Sequence, residues 1–170
     1  MDVPLISQVA GALASRGFAA LRFNFAGVGA SGGRFTDGID EPLDVRAAFD
    51  YVGSRSGVDA GSISIAGWSF GSWMALLALA DGLPAQSCVA IAPPLAACGW
   101  TREAGRISRS KTRRHYIVGD RDQFCGIGTL ESFAAAARDD PRGVTVLEGA
   151  DHFLFGREGE VARLVAELLE

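Results

Sequence analysis

The chain has 170 residues, 48% of them apolar and 21% charged, with 22 glycines and a formal net charge of -4; this balance excludes disordered and fibrous classes and gives no general attraction to nucleic acid or to an anionic membrane. A chain of this length buries roughly 70% of the surface its unfolded form exposes, so one domain over residues 1–170 is expected. Cys88, Cys98 and Cys125 form neither a C-x-x-C pair nor a disulfide framework, and no basic-then-apolar leader or long apolar run is present, so a cytoplasmic protein is expected.

In chain order, Leu5, Ile6, Val9, Leu13 and Ala14 recur at helical spacing over residues 5–16, and Gly17 is placed to end that helix. Residues 19–25 have strand composition and run into the glycine-rich turn 27–33. A second helix is expected over 41–54, with Asp40 as cap and Pro42 in the first turn. Residues 62–66 read as a buried strand ending at Gly67, and 70–80 as an apolar helix. Further strands are expected at 87–92, 115–118 and 144–147, with helices at 129–138 and 158–169 and a polar loop after Pro93-Pro94. Five strands alternating with helices imply a mostly parallel sheet covered on both faces, an α/β fold. Arg106, Arg109, Lys111, Arg113 and Arg114 lack interleaved aromatics and read as a solvated loop rather than a nucleic-acid surface.

Gly67-Trp68-Ser69-Phe70-Gly71 lies between the buried strand and the apolar helix, the setting that makes G-x-S-x-G a nucleophile elbow. The flanking glycines let helix and strand approach each other, and Ser69 projects from the C-terminal edge of the sheet. A serine hydroxyl needs a base, and the base needs an orienting acid. Of the two histidines, His115 begins its strand, at the wrong edge of a parallel sheet. His152 follows the last strand, at the edge where Ser69 stands, and is the candidate base. The acid belongs between them in chain order. The turn Gly119-Asp120-Arg121-Asp122 offers two carboxylates, of which Asp122 is preferred and Asp120 is assigned to the turn itself. The Phe70 N–H is the first candidate oxyanion donor.

These blocks, with the run Leu21 to Gly32, the Ala92-Pro93-Pro94 break and Glu148 to Phe153, resemble the α/β-hydrolase superfamily, and within it the small lidless esterases related to dienelactone hydrolase. The resemblance places the nucleophile on Ser69, the acid on Asp122 and the histidine on His152. Relatives commonly carry arginine where this chain has Ala26, which affects local packing. They also have further N-terminal strands and a glycine-rich loop that supplies the second oxyanion donor. The resemblance thus implies an N-terminally shortened version, with a gap between the 19–25 and 62–66 strands.

The expected activity is hydrolysis of a small-molecule carboxylic ester or thioester through an acyl-enzyme, with no metal and no organic cofactor. A homodimer is compatible with this reading; nucleic acid and membrane are not expected partners. The short connection from Pro94 to His115 leaves little room for a lid, so an open site favouring short acyl groups is expected. Two rivals are a dinucleotide site at Gly27-Val28-Gly29-Ala30-Ser31-Gly32, which is not followed at once by a helix, and a catalytically silent hydrolase-fold binding module. Cys125, near Asp122, is weighed as a nucleophile and read as a buried thiol.

Overall fold

The computed structural model describes residues 3–170. Its strands β1 (Ile65–Trp68), β2 (Ser87–Ile91), β3 (Arg113–Gly119) and β4 (Val144–Leu147) form one sheet in the order β1-β2-β3-β4, each neighbouring pair parallel. Parallel pairing demands a crossover between successive strands. Helices α3 (Phe70–Ala80), α4 (Trp100–Ile107) and α5 (Ile127–Ala136) supply the three crossovers. On this side α2 (Glu41–Gly53) packs against α3, while α1 (Pro4–Ser15) and α6 (Glu158–Leu169) pair with each other.

Alternation along the strands divides the apolar side chains between two cores. Cys88, Ala90, Tyr116 and Val118 pack with α3, α4 and α5. Val89, Ile91, Ile117 and Leu147 pack with Leu5 and Val9 of α1 and with Val161, Val165 and Leu169 of α6. The four-residue spacing of that last trio keeps them on one helical stripe, and burying each contributes about 1.5–3 kcal/mol relative to exposure. Helix α1 ends at Ser15, and Gly17, just past its cap, takes φ 87° as a left-handed terminator.

The sheet has four strands, one fewer than expected, because residues 19–25 form no strand and lie outside it. Among the described residues no strand lies beyond β1 to give this segment a ladder partner. Its apolar side chains find contacts without one: Phe23 and Phe25 pack against the α3 core. Strand composition therefore reported a surface that packs well, not a backbone that pairs. Strand β1 also starts three residues later than expected, since Ala60–Ser62 forms a 3-10 turn capped by Asp59, whose Oδ1 accepts from Gly61 N at 2.9 Å.

Two further expectations are corrected. The polar stretch after Pro94 contains α4, whose Glu103, Ala104 and Ile107 are buried at helical spacing. The cationic cluster is not wholly solvated: the Arg114 and Asp139 side chains, 5% and 3% exposed, form a buried ion pair, and the Tyr116 hydroxyl donates to Asp139 Oδ2 at 2.6 Å. Asp40 precedes α2 but makes no side-chain cap.

Candidate active site

Strand β1 delivers the chain into a turn at Ser69 with φ 51° and ψ -120°, outside the ordinary regions for a residue with a Cβ. Backbone bonds hold that conformation on both sides. Ser69 N donates to Ile91 O at 2.9 Å, tying the turn to β2, and Ser69 O accepts from Ser72 N at 3.0 Å as α3 begins. The approach of strand to helix is close: a Cβ at Gly67 would stand 2.5 Å from the carbonyl carbon and oxygen of Gly71, whereas one at Gly71 would meet nothing within 4 Å. The N–H of Phe70, first residue of α3, faces the open end of its helix, where backbone donors lack intrahelical acceptors.

Ser69 Oγ lies 2.8 Å from His152 Nε2. His152 Nδ1 in turn lies 3.0 Å from both carboxylate oxygens of Asp122. Asp122 is buried after β3, and its Oδ1 also accepts the N–H groups of Phe124 and Cys125, each at 2.8 Å. An acceptor-only carboxylate at Nδ1 places the ring proton there, leaving Nε2 to accept from the serine hydroxyl. The structure thus gathers Ser69, His152 and Asp122, from three turns, into one hydrogen-bonded succession.

Asp120 points elsewhere. Its Oδ1 accepts from Gly149 N at 2.7 Å, fastening the turn after β4. His115 sits at the other end of β3, its Nε2 buried without a hydrogen-bond partner among the described residues; burial and then Arg113 lower its pKa. Cys125 is fully buried, and burial followed by the charge of Asp122 pushes its thiol up to about 12, which keeps it a thiol at neutral pH. Among the described residues no group of three or more His, Cys, Asp or Glu is placed to hold a metal ion, and no helix is long and apolar enough to cross a membrane.

Three neighbours of His152, and a fourth ring stacked behind them, are not singled out by spacing alone. Trp68 donates its indole N–H to His152 O at 3.1 Å. Phe124 and Phe153 meet the imidazole edge to face, with ring centroids at 4.8 and 5.7 Å, and Phe155 stacks on Phe153. A sequence signal exists for Trp68, since a half-buried indole N–H needs an acceptor and this one lies within the elbow. The phenylalanines gave none, as single apolar residues in loops are ordinary.

Residues 1–163 match the model of an alpha/beta hydrolase domain family. The chain is 26% identical over 161 residues to an uncharacterized protein of Rickettsia prowazekii, covering 92% of this chain and 67% of that protein. Among solved structures it is similar to an alpha-beta serine hydrolase homologue from Coxiella burnetii, with TM-score 0.85 and 28% identity over 100% of this chain and 78% of that one. A Pyrococcus furiosus esterase shares the fold, with TM-score 0.78 and 21% identity over 96% of this chain and 74% of that one.

Proposed function

The chain belongs to the α/β hydrolase family, and from that premise we propose that it is a serine hydrolase cleaving carboxylic ester or thioester bonds of small molecules through Ser69, His152 and Asp122. The observation that carries the reading is the unbroken succession from Ser69 Oγ to His152 Nε2 and from His152 Nδ1 to Asp122, at 2.8 and 3.0 Å. The first link is not a helix cap: a capping serine would bond its own helix, and Ser69 makes no side-chain cap.

In this mechanism the Ser69 oxygen attacks the carbonyl carbon while its proton passes to His152 Nε2, and the Phe70 N–H faces the oxygen that gains the negative charge. His152 then returns that proton to the leaving alcohol or thiol as its bond to the acyl carbon breaks. A water repeats the sequence on the acyl-enzyme, releasing the acid and restoring the serine. Asp122 stabilises the imidazolium formed in each half-reaction and stays a carboxylate.

The test is labelling by a fluorophosphonate probe beside turnover of p-nitrophenyl acetate. The wild type is expected to label and turn over, and Ser69→Ala to do neither. His152→Ala is expected to lose on the order of 10⁴-fold or more in kcat. A folded wild type that neither labels nor turns over any ester overturns the proposal in favour of a binding module built on the same fold.

A further inference from the structure

We propose that the aromatic cluster beside His152 binds the alcohol portion of the ester, so that the enzyme prefers esters of ring-bearing apolar alcohols; this rests on the serine-hydrolase reading above. The first step is geometric. When the adduct on Ser69 collapses, the leaving oxygen must take its proton from His152 Nε2, so it lies within about 2.6–3.2 Å of that atom. Whatever the oxygen carries therefore rests against the surroundings of the imidazole. The acyl substituent takes another corner of the adduct, and the oxyanion takes the corner facing Phe70 N–H.

Those surroundings are aromatic. The imidazole itself is only 4% exposed, whereas Phe124, Phe153 and Phe155 are 39%, 43% and 77% exposed. From solvent, the surface reached next to the base thus includes two phenylalanine rings, those of Phe124 and Phe153. Phe155 continues it outward, its ring 5.7 Å from that of Phe153 at an interplanar angle of 12°. Phe70, on the oxyanion side, has its ring engaged by Phe25 and Phe35 at 5.4 and 5.2 Å.

The presentation of these rings is built into the backbone. Asp151 Oδ1 accepts from Phe153 N at 3.0 Å and from Leu154 N at 3.2 Å. Leu154, between the two rings, is 1% exposed and adopts φ 56°. It plugs the α6 side of the core. A left-handed residue anchored by burial turns its two neighbours outward together, which accounts for the stacked, solvent-facing pair. Exposed apolar rings grouped in this way mark a contact surface for an apolar ligand.

Two isomeric esters separate the sides of the scissile bond: benzyl acetate carries its ring on the alcohol, methyl phenylacetate on the acyl group. With ethyl acetate as reference, benzyl and ethyl acetates share one acetyl-enzyme, so their kcat/KM values differ only through the alcohol. The wild type is expected to favour benzyl over ethyl acetate by about tenfold, the size of one or two aromatic contacts. Phe155→Ala, at a site too exposed to threaten folding, should reduce that ratio to about threefold, and Phe153→Ala should bring it near unity. Methyl phenylacetate is expected to lose less than about threefold in either variant. A ratio unmoved by both substitutions, or a loss on methyl phenylacetate as large as on benzyl acetate, overturns the inference. If Ser69 still takes the fluorophosphonate label in that case, the hydrolase reading stands; a chain that neither labels nor cleaves any of the three esters loses both.

Discussion

Trp68, the residue before the serine, donates its indole N–H to the carbonyl of His152 at 3.1 Å across 84 positions of sequence. The bond joins the turn that presents the serine to the turn that presents the imidazole. Under the proposed mechanism this makes Trp68 a positioning residue, acting on the reaction through His152.

Trp68→Phe keeps an aromatic ring while deleting the donor. A net hydrogen bond is worth about 0.5–1.5 kcal/mol, and about 1.4 kcal/mol is tenfold in rate. The expected result is a three- to tenfold fall in kcat on p-nitrophenyl acetate at nearly constant KM, on the same estimate of about one hydrogen bond. A purely structural role would instead lower the urea midpoint and leave kcat per folded molecule unchanged.

Asp122 and Asp120 stand two residues apart and are expected to part sharply on amidation. Asp122→Asn keeps an oxygen for Phe124 and Cys125 but presents the wrong partner to Nδ1, and kcat should fall by about 10⁴. Asp120 Oδ1 instead accepts from Gly149 N. Its Asn variant should keep kcat within about fivefold and lose roughly 1 kcal/mol of stability. Steady-state kinetics beside urea melts on the two proteins decides it; equal losses in kcat would return the acid to question.

How much of this was legible beforehand differs by element, for physical reasons. The α3 helix and β2 strand were readable because buried apolar runs at a fixed period leave few alternatives. The positions of Ser69, His152 and the two aspartates were readable because a parallel sheet gathers its loops at one edge. Spacing ranks Asp122 above Asp120 but cannot give their directions, which depend on a turn whose geometry is fixed by contacts with Gly149 and Ala150. The stretch after Pro94 reads as a polar loop, yet it contains α4, where Glu103 pairs with both Arg102 and Arg106. The 19–25 segment failed in the opposite direction: its composition is that of a strand, but pairing needs a neighbour that composition does not supply.

The two elbow glycines, equivalent in the motif, are expected to behave differently. A methyl at Gly67 would press on the Gly71 carbonyl at 2.5 Å and on Ser72 N at 2.6 Å, so backbone must move. Gly67→Ala should cost about 3 kcal/mol and misplace the serine. Gly71 lies within α3 in open space, and Gly71→Ala should hold or raise stability by up to about 1 kcal/mol through helix propensity. Thermal melts of both variants test the contrast, and comparable losses would contradict it.

Glu41 links the acid stability of the chain to the wall of the site. Its side chain is buried, with Oε1 accepting from Thr36 N at 2.6 Å and Oε2 from Gly38 N at 2.7 Å and Thr36 Oγ1 at 3.0 Å. The turn so held borders Phe70: a Cβ on Gly38 would touch the Phe70 ring at 3.9 Å, and Phe35 packs on the same ring. Burial raises the carboxyl pKa, but the backbone and hydroxyl donors outweigh it and leave it below the ordinary 4.5. A depressed folded pKa means that the stabilisation is fully present above the unfolded value and is lost as pH falls through the folded one. Glu41→Gln should therefore cost about 1–2 kcal/mol at pH 7, where the carboxylate is charged. The gap between variant and wild type should close as the pH drops below 4.5. Urea titrations of both proteins across that window measure the gap directly, and one that stays constant down to the acid limit would show that Glu41 contributes through shape rather than charge.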